Sequence, residues 1–264
     1  MKKPKSLSEL YIPEQKIGGF QIQHEILEKG STITVVSLRN SLFDGRKPLR
    51  YRLDQNYLQH KLVEDRAGVW MTDSLQELEQ MRVLLSDFSG KVLVAGLGLG
   101  VFLLVMPLEV EEITIVEKSP EVIKMVSSYL PKHPAKIKII EADFNEFEVS
   151  DEYDFVFLDF WQPTGEWALT KFVLPQRKRF KNKIPQERIR CWGESEMWGQ
   201  VIFGLSNLPL LMQAPEWKNI DPETLKKDSL RIPFVEWYFS GEHSQEECAV
   251  WLTEFAESPY SYFI

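Results

Sequence analysis

The stretch Lys91–Phe102, KVLVAGLGLGVF, restricts what this chain can fold into more than any other. Val92, Leu93, Val94 and Ala95 form an unbroken apolar run, as expected of a strand buried on both faces. Glycine then occupies every second position, at Gly96, Gly98 and Gly100, and apolar residues resume from Val101 to Val105. The pattern predicts a strand, a tight turn and the start of a helix. Glycine lacks a Cβ and tolerates positive φ, so the amides of such a turn can lie against a ligand. Glycine turns also join strands to helices for packing reasons alone, so the residues at the other strand ends decide between the two.

Beyond the turn, strand and helix patterns alternate. Ile113–Glu117 reads as a strand, Pro120–Tyr129 as a helix, Ile137–Glu141 and Phe155–Asp159 as strands. Residues 166–183 read as helical, Arg188–Trp192 as a fifth strand and Glu194–Leu211 as a helix. After an irregular connection over 212–230 come an aromatic strand, Phe234–Phe239, and a helix from Ser244, capped with Glu247 and carrying Cys248, Trp251, Leu252 and Phe255. Such alternation implies an α/β domain with a mostly parallel, doubly wound sheet, over residues 71–264.

The first seventy residues differ. Residues 1–16 are polar and read as poorly ordered. Phe20, Ile22 and Ile26 alternate with polar residues, Thr32–Leu38 is β-branched, and Asp44-Gly45 signals a hairpin before Leu49–Leu53. This predicts a small antiparallel β module, residues 1–70, with too few apolar positions for a core of its own. A helix follows, with Ser74 and Glu77 in capping-box spacing and Leu75, Leu78, Met81 and Leu85 on one face.

Charge and cysteine usage narrow the partners. A net charge of −8 disfavours nucleic acid, and the basic run 177–183 reads as a solvated helix face. Cys191 and Cys248 form neither a disulfide framework nor a zinc signature, and His24, His60, His133 and His243 lack ligand spacing, so no metal is expected. No apolar segment follows the charged start, and none is long enough to span a membrane, so a cytoplasmic, soluble protein is expected. A small-molecule acceptor and a second copy of the chain are the expected partners.

Three acids stand at successive strand ends. Glu117 closes the second strand, 21 residues after Gly96, where a carboxylate can accept hydrogen bonds from ribose hydroxyls. Asp143, followed by Phe144, closes the third, and Asp159 the fourth. In an open α/β sheet ligands bind at these carboxyl ends.

The pattern G-x-G-x-G with Glu117 and Asp143 resembles the class I S-adenosylmethionine-dependent methyltransferases, which have a Rossmann-like fold; a dinucleotide fingerprint would want Gly or Ala where Val101 stands. The resemblance implies S-adenosylmethionine as cofactor, cradled by Gly96, Gly98 and Gly100. Glu117 would then bind the ribose, Asp143 the adenine amino group, and Phe144 would lie against the ring. The wording VLVAG and the N-terminal β module resemble the spermidine-synthase-like branch. That branch carries an acid where Leu99 stands and a D-S-x-D-P segment where this chain has Asp159-Phe160-Trp161-Gln162-Pro163. Methyl transfer to a small polar or amine-bearing acceptor therefore ranks first. Aminopropyl transfer from the decarboxylated cofactor and a non-catalytic binding or scaffold role are the alternatives.

Asp159 is the expected catalytic residue, orienting or deprotonating the acceptor, and reads equally as a helix N-cap. Trp161 is expected as an acceptor-pocket wall, or as a packed core residue. Trp70 and Asp73 are expected to close over the site, with Asp73 also a plain turn residue. Glu194 is expected to reach the acceptor, or to start a helix.

Overall fold

The computed structural model describes residues 11–34, 50–149, 152–162, 168–194 and 196–197. Of these, 11–34, 50–149, 152–162 and 182–192 belong to one compact unit, and 168–181 with 193, 194, 196 and 197 to a second. The expected strand beyond Thr34, the Asp44-Gly45 hairpin, the helix beyond Met197, the strand Phe234–Phe239 and the helix from Ser244 lie outside the described residues.

The first unit begins with an antiparallel sheet in the order β1-β2-β5-β6, formed by β1 (Gln15–Ile17), β2 (Phe20–Leu27), β5 (Tyr57–Glu64) and β6 (Gly68–Thr72). Strands β3 (Thr32–Thr34) and β4 (Arg50–Arg52) make a separate pair. The sequence reading finds β2, β3 and β4 but misses β1, β5 and β6; Gln15 and Lys16, expected to be poorly ordered, pair with β2 in β1, and Ile12 before them is fully buried. In β5 the buried positions are Tyr57 on one face and His60 and Leu62 on the other. A histidine at a fully buried position breaks the apolar alternation that identifies a strand.

Helix α1 (Leu75–Leu84) follows, with Ser74 as N-cap accepting from the Glu77 amide at 3.2 Å, a contact contributing about 1 kcal/mol. Leu75, Leu78 and Met81 are its buried residues. The Glu77 carboxylate does not complete the box on the cap residue. It accepts instead from the Thr72 amide at 3.0 Å and the Thr72 hydroxyl at 2.6 Å.

The parallel sheet comprises β7 (Gly90–Ala95), β8 (Val110–Glu117), β9 (Lys136–Glu141), β10 (Phe155–Leu158) and β11 (Ile189–Cys191), in the order β11-β10-β7-β8-β9. It confirms the expected α/β architecture. Helix α2 (Pro120–Val126) joins β8 to β9, with proline in its first turn and Ser119 as cap. Its expected last turn is a 3₁₀ turn over Ser127–Tyr129. Within the second unit, a π-helical turn, Leu169–Val173, leads into α3 (Leu174–Phe180).

One core joins the module to the parallel sheet. Ile12, Ile22, Leu62 and Met71 pack in the same cluster as Val92, Val94, Ile113, Ile115 and Phe157. Each such buried side chain contributes about 1.5–3 kcal/mol, and among the described residues the module has only a small cluster besides, around Leu53, Tyr57 and Leu75. Among the described residues no helix is long and apolar enough to cross a membrane.

Candidate functional site

In this strand order β7 has β8 on one side and β10 on the other, so the chain reverses direction of travel across the sheet between β7 and β10. That is where open α/β sheets bind ligands. Ala95 is level with Leu158 and with Val116, and Glu117 with Glu141, so Gly96, Asp159 and Glu117 leave the sheet at about the same height.

The glycine turn is shaped first by the protein's own atoms. Gly96 has φ +93°, and a Cβ there would lie 2.1 Å from the Asp159 carbonyl oxygen. At Gly98, φ is +50° and a Cβ would lie 2.4 Å from Met71 Sδ. Any side chain would be both strained and obstructed at these two positions. A Cβ on Gly100 would meet Leu130. Amides of the turn are also taken up internally: Leu97 donates to Glu117 Oε2 at 2.8 Å, Leu99 to Met71 Sδ at 3.3 Å, and Gly100 to the Leu97 carbonyl at 2.8 Å. The segment after the turn, Val101–Leu104, is a short 3₁₀ helix, not the start of an α-helix.

Glu117 therefore belongs to the turn. Its Oε1 accepts from the Ser119 amide at 2.8 Å, so each oxygen holds one backbone donor. A carboxylate has about four acceptor positions, which leaves room for two further donors. One strand over, Asp143 Oδ1 accepts from the Asn145 amide at 2.9 Å and Oδ2 from Lys118 Nζ at 2.6 Å. The Lys118 ammonium, and next the Asn145 amide, hold the Asp143 carboxyl below its ordinary range. Phe144 is buried at 3% exposure, its ring 5.4 Å from Phe160, which meets Trp161 edge-on at 5.1 Å. Phe144 and Trp161 are thus partners in one aromatic cluster.

Asp159 is the residue the structure treats most unusually. Its amide donates to the Ala95 carbonyl at 2.9 Å, continuing the β7–β10 ladder. Its Oδ2 is shielded from solvent and has no hydrogen-bond donor among the described residues. Burial, and secondarily the negative charge of Glu77, push its carboxyl up to about 8. Burial also pushes Glu77 up to about 7, against the pull of its two Thr72 hydrogen bonds. The sequence reading takes Glu77 only as a helix-cap partner, because its spacing from Ser74 accounts for it.

Trp70 and Asp73 each have partners within the N-terminal module. Trp70 Nε1 donates to Glu64 at 2.7 Å, and its ring lies 6.5 Å from Phe20. Asp73 is fully buried, accepting from the His60 amide and contacting His60 Nδ1, each at 2.7 Å. His60 Nε2 accepts from the Ile12 amide at 3.3 Å, which assigns the ring proton to Nδ1, facing Asp73. The Tyr57 hydroxyl donates to the Asp73 carbonyl, and burial raises its pKa above the ordinary phenol value. In the second unit Glu194 is 3% exposed and takes a two-point hydrogen bond from Arg177, at 2.7 Å to each oxygen. Among the described residues no three His, Cys, Asp or Glu side chains are grouped to hold a metal.

No family model matches the chain, and no curated protein does. Matches exist among solved structures. One is the crystal structure of the plantazolicin methyltransferase BpumL in complex with a monoazolic desmethylPZN analogue and SAH. It is 15% identical over 41% of this chain, with a TM-score of 0.29, and the chain covers 42% of its length.

Proposed function

We propose that this protein is an S-adenosylmethionine-dependent methyltransferase acting on a small polar or amine-bearing acceptor. The observation that supports it best is the union of turn and acid at the carboxyl edge of the sheet, Leu97 N–H donating to Glu117 Oε2, with Asp143 one strand further on. The donor set suits the cofactor. Glu117 keeps acceptor positions for a ribose diol, and Asp143 offers an oxygen to an exocyclic amine. Adjacent strands lie about 4.8 Å apart, a spacing that suits the two ends of a nucleoside.

When bound, the cofactor supplies a methyl group on a sulfonium, already activated for in-line displacement. The protein's part is then alignment and exclusion of water. Asp159 stands at the switch point with a buried, undonated oxygen, where it can orient an acceptor N–H or O–H and take its proton. Phe160 and Trp161 follow Asp159 on the same loop, and Phe144, from the loop after β9, packs against Phe160.

Calorimetry of the full chain with S-adenosylhomocysteine tests this reading. Binding is expected, and Glu117→Ala is expected to weaken it at least about tenfold, the loss of one charge-assisted hydrogen bond. Absence of binding at millimolar ligand, or an unchanged affinity in Glu117→Ala, overturns the assignment. Turnover confined to the decarboxylated cofactor with a diamine would mark aminopropyl transfer instead.

A further inference from the structure

We infer that Gln162 is a positioning residue of the candidate site: it fastens the loop after β10 to β6 and so closes a ring of contacts around the glycine turn. This deepens the methyltransferase reading above and rests on it for the identity of the turn's ligand, though not for the ring.

The ring can be followed from contact to contact, all of them within the first unit. Gln162 donates through Nε2 to the Val69 carbonyl at 2.9 Å and to the Ala67 carbonyl. Carbonyls only accept, so the pair fixes the side-chain amide with its NH2 towards β6 and uses both of its hydrogens. Further along β6, Met71 Sδ accepts from the Leu99 amide at 3.3 Å and fills the space beside Gly98. At its other end the turn meets the loop again. Gly96 lies against the Asp159 carbonyl oxygen, which a Cβ would approach to 2.1 Å. Asp159 and Gln162 stand on the same loop, so the circuit runs from turn to loop to β6 and back to the turn.

A closed ring restrains the turn more than its separate contacts do. The turn holds glycines at φ +93°, +50° and +68°. Glycine loses more backbone freedom on ordering than any other residue, so neighbours have to impose the turn's shape. Two of those neighbours, Met71 and the Asp159 carbonyl, stand on different segments. Met71 belongs to β6, the last strand of its sheet, and Asp159 opens the loop after β10. Gln162 binds these two segments to each other. With it in place, Met71 cannot recede from Leu99 without drawing on a loop that the Asp159 amide anchors to the Ala95 carbonyl at 2.9 Å. Without it the two segments move independently, and the turn spends less time in the shape described. A ligand that needs that shape then binds more weakly, in proportion to the lost population. Because the hydrogen bonds of Gln162 go to β6, its influence on the Leu99 amide has to travel through Met71.

The test uses the full chain and two readouts. The first is calorimetric affinity for S-adenosylhomocysteine. Gln162→Ala removes both donors and is expected to weaken binding about three- to tenfold. Gln162→Lys restores a donor group and should fall closer to the original chain, while Gln162→Glu sets acceptors against carbonyls and should be the weakest. Met71→Leu keeps the volume but cannot accept from Leu99, so it opens the same ring elsewhere. Gln162→Ala should therefore add little to it in the double variant. The second readout, amide hydrogen exchange without ligand, separates the ring from general loss of stability. In Gln162→Ala the Leu99 amide should exchange at least about threefold faster while the amides of β9 keep their rates. Additive effects, Glu serving as well as Lys at position 162, or Leu99 exchange that is unchanged or rises only together with β9 overturn the inference. Should S-adenosylhomocysteine fail to bind the unaltered chain, the methyltransferase reading falls, and the Leu99 exchange alone decides for or against the ring.

Discussion

The Leu97 amide donates to Glu117 Oε2 at 2.8 Å, so the glycine turn and the acid at the end of β8 form a single assembly before any ligand arrives. Glu117→Gln keeps an oxygen for this bond but loses the charge. Its NH2 then faces the Leu97 or the Ser119 amide, so it should weaken S-adenosylhomocysteine roughly tenfold, by calorimetry, and cost about 1–3 kcal/mol in urea unfolding, whereas Glu117→Ala frees both amides and should cost more.

Met71 fills the space that a side chain at Gly98 would need. Met71→Ala should cost about 2–4 kcal/mol through the vacated volume and the lost acceptor of the Leu99 amide. Gly98→Ala adds a steric clash and a left-handed φ, and should be worse. In the double variant the clash disappears and the φ cost of about 1–2 kcal/mol remains, so the cycle should show a favourable coupling. Additive effects would contradict the packing described.

Lys118 occupies the Asp143 oxygen that an adenine amino group would use. The ion pair is largely exposed, with the lysine side chain at 75%, so Lys118→Met should change stability by less than about 0.5 kcal/mol. It should tighten S-adenosylhomocysteine several-fold by removing a competitor. An unchanged affinity would place the adenine elsewhere.

The buried acids set a pH dependence. Asp159 and Glu77, at about 8 and about 7, sit above the ordinary carboxylate range, so the folded state binds more protons than the unfolded one between roughly pH 4 and pH 8. Their contribution to stability is therefore full below pH 4 and is lost as pH rises towards 8. Asp143 acts in the opposite sense: its lowered value gives stability present above pH 4 and lost as pH falls through the depressed value. Denaturation at fixed intervals from pH 4.5 to 8.5 should show stability falling with pH, by up to about 1.4 kcal/mol per unit for each of the two groups. Asp159→Asn should flatten much of that slope.

The parallel sheet was legible because its strands are buried on both faces and read as unbroken apolar runs, Val92–Ala95 and Phe155–Leu158 being the plainest. The acids at the strand ends were legible because the fold makes those positions polar for a reason. Strand β5 escaped because His60 is buried and hydrogen-bonded to Asp73, a pairing that no local pattern announces. Glu77 escaped because its position relative to Ser74 explains it completely as a cap; its turn towards Thr72 depends on a strand, β6, that was itself unread. The glycines were read as serving a ligand or as packing; at Gly96 and Gly98 the structure adds the close approach of Asp159 and Met71, which no local pattern announces.

The placement of β10 between β7 and β11 also bears on how the chain is made. As the ribosome proceeds, β7, β8 and β9 can pair at once, but the other edge of β7, all of it apolar from Val92 to Ala95, stays open until Phe155–Leu158 has emerged. At roughly 5–20 residues per second this interval lasts seconds, with an unpaired hydrophobic strand exposed to other nascent chains. Yield in recombinant expression should therefore respond to chaperone supply and to translation speed over residues 96–154 more than to the stability of the finished fold.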